Sequence, residues 1–573
     1  MNARIAPALA ALCTLLPLTV PAAGAATEPQ PWLKPQEAAL RRWQDMRFGM
    51  FIHWGPVSLT HQEIGWSRGA QTPIAQYDAL YKKFNPVKFN AGQWAGIAKA
   101  AGMKYVVLTT KHHDGFCLFA TRETDYNIMN SPFARDVTKE LATACRKQGL
   151  AFGAYYSVCD WHHPDFPLTS PGGRVQREKS DLDAYNRYLL AQIRELVTNC
   201  GPLLTIWNDV PQMFKGRGVN TIRMVRQLQP DILINNRSGD GGDYDTPEQR
   251  IGGFSMDRPW ESCMTISAHN HWAWGGPNDG AKPLSACLLM LIRAAGGDGN
   301  VLLNVGPTPE GVIEPCQVQR LKEIGAWLAK YGDSIYGTRG GPYKPTKSVA
   351  STRKGNTVYI HITAWPEETL QLPPLPAKVV TSCVLSGGRA SVKQTAAGLE
   401  IAVPKPDRQA IDTIVALELD KPAMEIKPIA ANPIGESLTT GKKAKASNVY
   451  ENSSHYAAAM AVDGEEDTRW ATDARTGACS LEVDLGKPQT FDRAVIQECV
   501  DYGVRVKAFE LQSQQGDAWT TFYRGKGIGK NLEVKFAPVT ARIVRLNITE
   551  GHGGPTIWEF QLFAPAAGKR SRQ

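Results

Sequence analysis

The sequence predicts a multidomain chain: a (β/α)8-like, TIM-type barrel over residues 27–340, followed by two all-β units. Three observations carry this. The chain has 573 residues, too many for one hydrophobic core. Short apolar runs alternate with helical stretches over roughly the first 340 residues, the pattern of a parallel sheet. Beyond that point the pattern changes to short alternating runs broken by Pro and Gly.

Residues 1–25 read as a secretory signal: Arg4 supplies the positive end, Ile5 to Val20 is apolar, and Ala23-Gly24-Ala25 is a cleavage-type ending. The expectation is a secreted, periplasmic protein without membrane insertion, since no later run approaches about 18 apolar residues. A helix is expected from Pro35 to Met46. The first strand lies in Phe48–Gly55 and ends on His53-Trp54. A loop carrying Glu63 and Trp66 follows. A helix over Ala91–Ala101 leads to a strand at Lys104–Thr110, which ends on Lys111-His112-His113-Asp114. A helix from Val137 to Gln148 precedes the strand Gly149–Ser157, with Tyr155 near its end. A helix over Asp181–Cys200 precedes Leu203–Asp209, an apolar run between Gly201-Pro202 and Pro211 that ends on Trp207-Asn208-Asp209. A helix over Thr221–Gln229 precedes Ile232–Arg237, and a further strand occupies Asn300–Pro307. Polar and aromatic residues collect at the C-terminal ends of at least five strands, which favours a barrel over a doubly wound sheet.

The remaining units are a small β-sandwich over 341–421, a Pro-rich linker over 422–442, an all-β unit over 443–565 and a disordered basic tail over 566–573. The net charge of +9 is diffuse outside that tail, which argues against a nucleic-acid partner. There is no G-x-G-x-x-G after the first strand and no Walker loop, so nucleotide chemistry is not indicated. The cysteines form no CxxC pair, which leaves neither a zinc site nor a dense disulfide framework. Nothing in the sequence sets the oligomeric state.

Breaking a glycosidic bond needs two carboxyl groups across it. Asp209 is one candidate. Glu248, in Asp245-Thr246-Pro247-Glu248, and Glu261, in Trp260-Glu261-Ser262-Cys263, compete to be the second, and each also has an arginine nearby for a plain ion pair (Arg250, Arg258). His53, His112, His113, Tyr155 and Arg237 are suited to sugar hydroxyls. Trp54, Trp66, Trp207 and Trp260 can offer apolar walls or serve as core. Adjacent His112-His113 would not share a metal if both lay in a strand, because successive side chains face opposite ways.

The blocks Phe48–Gly55, Thr110–Phe116, Ile206–Asp209, Pro259–Thr265 and Gly299–Pro307 occur in an order that resembles glycoside hydrolase family 29, the α-L-fucosidases. The resemblance implies a retaining exo-hydrolase of terminal α-linked fucose on fucosylated glycans, with no catalytic cofactor. It implies Asp209 as nucleophile and Glu248 as acid/base, with Glu261 as the alternative. It places His53, His112, His113, Tyr155, Trp207, Arg237 and Trp66 against the sugar. One loop departs from the family pattern: some members carry glutamate directly before the tryptophan, where this chain has Gly65, with Glu63 two positions earlier. The competing readings are a catalytically silent glycan-binding protein on the same scaffold, and a glycosidase with another preference such as α-galactoside. Val462–Trp470 and Trp558-Glu559-Phe560 resemble a discoidin-like (F5/8 C-type) carbohydrate-binding jelly roll. That likeness implies a structural calcium held by Asp463, Asp467, Thr468 and Glu559.

Overall fold

The computed structural model describes residues 34–169, 176–211, 213–365, 367–396, 398–431, 437–464, 468–500 and 503–565. The expected signal segment, the basic tail and Asp467 lie outside the described residues. Seven parallel strands form the N-terminal sheet: β1 (Phe48–Ile52), β2 (Tyr105–Lys111), β3 (Ala151–Ser157), β4 (Thr205–Asp209), β5 (Leu233–Ile234), β6 (Glu261–Thr265) and β7 (Asn300–Val305). Their order is β5-β4-β3-β2-β1-β7-β6.

The gap between β5 and β6 is spanned by residues 244–248. This segment is joined by single parallel bridges to both sides: Asn235 to Tyr244, Asp245 to Trp260, and Glu248 to Cys263. The eighth barrel position is therefore held by isolated bridges rather than a ladder. Pro247 removes one donor there, which limits regular pairing.

Strand alternation sorts the side chains into two layers. Met50, Ile52, Val106, Leu108, Ala154 and Ile206 face outward and pack under helices such as Ala91–Ala100, Val137–Lys147 and Leu182–Asn199. Phe51, Tyr105, Val107, Tyr155, Trp207, Leu233, Cys263 and Leu302 face inward and fill the barrel. Helix Glu37–Met46 packs Ala39 and Trp43 against this inner core. Gly49 is needed beside it, because a Cβ there would sit 2.3 Å from the Tyr105 ring. Strand β6 and the helices Leu284–Gly296 and Pro315–Tyr331 were not expected from the sequence.

After the barrel come a five-stranded antiparallel sheet, ordered Val379–Val384, Thr413–Leu419, Thr357–Ile362, Val349–Lys354, Arg339–Gly340, and a three-stranded sheet, Leu370–Leu372, Gly398–Ala402, Ser391–Thr395. They enclose a separate core around Val358, Ile360, Leu399 and Leu417. The C-terminal antiparallel sheet is built on two long bent strands, Cys479–Glu498 and Leu532–Gly551, around a third core that includes Trp470, Leu481, Phe491 and Leu546. No helix among the described residues is long and apolar enough to cross a membrane.

Candidate active site

Asp209 is the last residue of β4, and its side chain points into the barrel mouth two residues beyond inward-facing Trp207. Its Oδ2 accepts from the Tyr155 hydroxyl at 2.8 Å, and its Oδ1 accepts from Arg237 Nη1 at 2.8 Å. His113 Nε2 stands 3.7 Å from Oδ2. Burial alone would raise this carboxyl; Arg237, His113 and Tyr155 outweigh burial and hold it below the ordinary carboxylate range.

Arg237 follows β5 and is fixed from several sides. Its Nε donates to Thr246 Oγ1 and its Nη2 to the Thr246 carbonyl, both at 2.8 Å. Nη1 also donates to Glu248 Oε2 at 2.9 Å. Both carboxylate oxygens bond one nitrogen, so they lie at most the sum of those two distances apart, about 5.7 Å. Carboxyl groups in retaining glycosidases stand about 5–5.5 Å apart, whereas inverting enzymes need about 6.5–9.5 Å. Glu248 is 45% exposed at the rim, and Asp209 is 13% exposed.

Glu261 takes a different place. It begins β6, at the end of the barrel away from Asp209, and is 1% exposed. Its oxygens accept from Tyr105 Oη and, at 3.0 Å, from Trp207 Nε1. Burial pushes its carboxyl up to about 7. It does not line the hollow above; it holds Trp207 from below. The ion pairs left open by the sequence resolve otherwise as well: Arg258 pairs with Asp245, and Glu248 pairs with Arg237.

The hollow offers about 450 Å³ of empty space, part of it open to solvent, and its lining includes His53, His112, His113, Tyr155, Trp207, Asp209, Arg237, Glu248 and Trp66, all named from the sequence. The two adjacent histidines both reach it, because neither lies in the strand. Strand β2 stops at Lys111, so the alternation rule no longer applies to the turn, and their rings lie 3.9 Å apart. Burial lowers all three imidazoles, His53 to about 3, His113 to about 4 and His112 well below the usual range, so they meet a ligand uncharged. His53 Nδ1 bonds Asn304 Oδ1 and His113 Nδ1 bonds Ser157 Oγ, each at 2.7 Å, which fixes both rings. Tyr155 is stacked between His112 and Trp207. Trp66, 46% exposed, meets His113 edge-on at the rim.

Gly65 closes this wall. Its φ is +69°, and a Cβ there would sit 2.9 Å from His112 Nδ1. Its N–H donates to Tyr77 Oη, which donates to Asp114 Oδ2. The loop is thereby tied to the turn carrying the histidines.

Sequence reasoning missed Phe51 and Trp272, and gave Glu63 little weight. All three line the hollow. Glu63 Oε1 accepts from Trp272 N at 2.9 Å and Oε2 from Ala273 N at 3.3 Å. Trp272 lies against His53, ring centroids 4.9 Å apart. The aromatic run His271-Trp272-Ala273-Trp274 was the available signal. Among the described residues, no three His, Cys, Asp or Glu side chains form a metal-holding group. In the C-terminal unit, Thr468 Oγ1 donates to Asp463, and Glu559 Oε1 accepts from Gly464 N. Glu559 Oε2 is buried with no hydrogen-bond partner among the described residues.

A parallel (β/α) barrel whose strand ends present two facing carboxyl groups amid neutral hydrogen-bonding side chains defines a glycoside hydrolase. A family model described as alpha-L-fucosidase matches residues 19–333, and an F5/8 type C domain model matches residues 443–560. The chain belongs to the α-L-fucosidase family, glycoside hydrolase family 29, and carries an F5/8 type C domain at its C-terminal end. It is similar to the tissue alpha-L-fucosidase of Homo sapiens, 30% identical over 375 residues that make up 59% of this chain and 78% of the relative. Among solved structures, alpha-L-fucosidase isoenzyme 1 from Paenibacillus thiaminolyticus is 33% identical, with a TM-score of 0.62 over 67% of this chain and 99% of its own. A Bacteroides thetaiotaomicron alpha-L-fucosidase, trapped as a covalent intermediate with 2-fluoro-fucosyl fluoride, is 27% identical, with a TM-score of 0.61 over 67% of this chain and 97% of its own.

Proposed function

We propose that this chain is a secreted, retaining exo-α-L-fucosidase that removes terminal α-linked L-fucose from oligosaccharides or glycoconjugates by double displacement. The observation that supports the reading is the single Arg237 nitrogen bonded to both Asp209 and Glu248, which caps the separation of those two oxygens at about 5.7 Å, below the range an inverting enzyme needs. The covalent intermediate trapped in the Bacteroides relative supports the same course.

Asp209, kept ionised, attacks the anomeric carbon, while Glu248 gives its proton to the departing oxygen. Water then attacks the glycosyl–Asp209 ester, Glu248 takes its proton, and fucose leaves with retained configuration. Neutral His53, His112 and His113 each offer one donor and one acceptor, which suits sugar hydroxyls. Phe51 and Trp272 supply an apolar wall for the methyl group of a 6-deoxy sugar. We further propose that the F5/8 type C domain binds glycan. Asp463, Thr468 and Glu559 would hold a structural calcium there; hard oxygens and the unpartnered Glu559 oxygen fit such an ion, which would brace the surrounding turns.

The test is azide rescue with an aryl fucoside. Asp209→Ala should lose turnover and yield β-fucosyl azide. Glu248→Ala should recover turnover and yield α-fucosyl azide. Near-normal hydrolysis by Asp209→Ala, or rescue seen with Glu261→Ala in place of Glu248→Ala, sinks the assignment. Glycan binding without fucose release would favour a silent binding protein, and preference for an aryl α-galactoside would move the substrate.

A further inference from the structure

We propose that Gln249 is a positioning residue for the acid/base Glu248, and that Lys282 is the post on which it is braced. The inference rests on the reading of Glu248 as proton donor and adds how this chain keeps that donor in place.

Glu248 sits on the segment held by isolated bridges. Cys263 N donates to the Pro247 carbonyl and Gln249 N to the Cys263 carbonyl, each at 3.0 Å. The chain then doubles back, since Gly252 N donates to Ser262 Oγ at 3.1 Å. Gln249 makes that reversal with a φ of +52°, left-handed for a residue that carries a side chain. Such a conformation persists only where its surroundings over-determine it.

The Gln249 amide supplies the hold. Its Nε2 donates to Thr265 Oγ1 at 3.1 Å, and its Oε1 accepts from Thr265 N at 3.4 Å. Thr265 Oγ1 also accepts from Lys282 Nζ at 3.0 Å, and its own proton is within reach of Gln249 Oε1 at 3.3 Å. A hydroxyl has two lone pairs and one proton, so this junction is fully used. Lys282 is itself fixed. Its Nζ donates to the carbonyls of Thr265 and Ser267 at 2.8 and 2.7 Å and to Asn270 Oδ1 at 2.7 Å, and its backbone N donates to the Ile266 carbonyl. The chain of contacts runs Lys282, Thr265, Gln249, Glu248. Gln249, Thr265 and Lys282 are absent from the lining of the hollow, so they reach the sugar through Glu248.

The consequence is selective. As Asp209 bonds to the anomeric carbon, the bond to the departing oxygen breaks and the Glu248 proton passes to that oxygen. An alkoxide needs this proton, whereas a stabilised phenolate leaves without it. A loosened donor therefore penalises poor leaving groups and spares good ones.

The experiment compares kcat/KM for methyl α-L-fucoside and 2-chloro-4-nitrophenyl α-L-fucoside in the full chain, with Tm recorded for every variant. In Gln249→Ala the loss on the methyl fucoside should exceed the loss on the aryl fucoside about tenfold, and in Lys282→Met about threefold. Glu248→Ala should show the largest split, about a hundredfold or more. Lys282→Met carries the test should Gln249→Ala fail to fold. Equal losses on the two substrates, as general damage to the barrel would give, overturn the proposal, and so does unchanged turnover of both. A split in Glu248→Ala with none in Gln249→Ala and Lys282→Met overturns the bracing alone. No split in Glu248→Ala overturns the reading of Glu248 as proton donor, and the bracing with it.

Discussion

Replacing Arg237 with glutamine tests how the nucleophile is kept charged. Burial pushes the Asp209 carboxyl up, and Arg237 at 2.8 Å leads the groups that bring it below the ordinary range. A hydrogen bond to a charged group is worth about 1.5–3 kcal/mol. At about 1.36 kcal/mol per pKa unit, its loss raises Asp209 by roughly one to two units. On the proposed mechanism only ionised Asp209 attacks, so the acid limb of the kcat/KM profile for an aryl fucoside should move to higher pH by that amount. The neutral plateau should also drop about a hundredfold, because the same nitrogen places Glu248. Tyr155→Phe keeps the stacked ring, removes a 2.8 Å bond to the other oxygen, and should shift the limb the same way by less. The stability change follows the same sign. Wild-type Asp209 contributes stability above the unfolded carboxylate pKa that disappears as pH falls through its own lower value, and Arg237→Gln should lack that contribution. An acid limb that stays put or moves down in a variant with wild-type thermal unfolding would show that Asp209 is not the group being titrated.

Gly65→Ala places a methyl 2.9 Å from His112 Nδ1 at a left-handed φ; it should cost about 1–2 kcal/mol in unfolding free energy and at least about tenfold in kcat/KM. Normal kinetics would mean that this wall does not set the histidines. Glu261, raised to about 7 in the folded chain, favours folding while protonated, so stability should decline as pH rises from the unfolded carboxylate value through about 7. Glu261→Gln should flatten that decline in a plot of Tm against pH. Calcium at about a hundred times its Kd should add about 2.7 kcal/mol to the C-terminal domain. EDTA should lower the corresponding Tm, and Asp463→Ala should abolish the difference.

The barrel strands were legible because short apolar runs that end on polar or aromatic residues are local signals, as in Phe48–Ile52 and in Leu203–Asp209 with its terminal carboxylate. The residues the sequence concealed are placed by loops. Glu63 matters because it accepts from backbone N–H groups more than two hundred positions away, a contact that no spacing encodes. The pair at 112–113 was legible as site residues because both follow the end of β2, where the turn sets their direction. Glu261 and Glu248 were hard to rank because both follow β5. What separates them is the end of the barrel they occupy, which emerges only once β6 is seen to begin at Glu261.

The 244–248 stave has a bearing on how such an enzyme changes over time. Six seams of the cylinder are laced as ladders, and the two that flank this stave are tacked at single points, one of them Glu248 itself. Residues can be added or removed beside a tacked seam without unpicking the others. Asp209, by contrast, sits on β4, which pairs with β3 residue by residue as far as Ser157, so its place is fixed by the sheet while that of Glu248 depends on the loosely held segment.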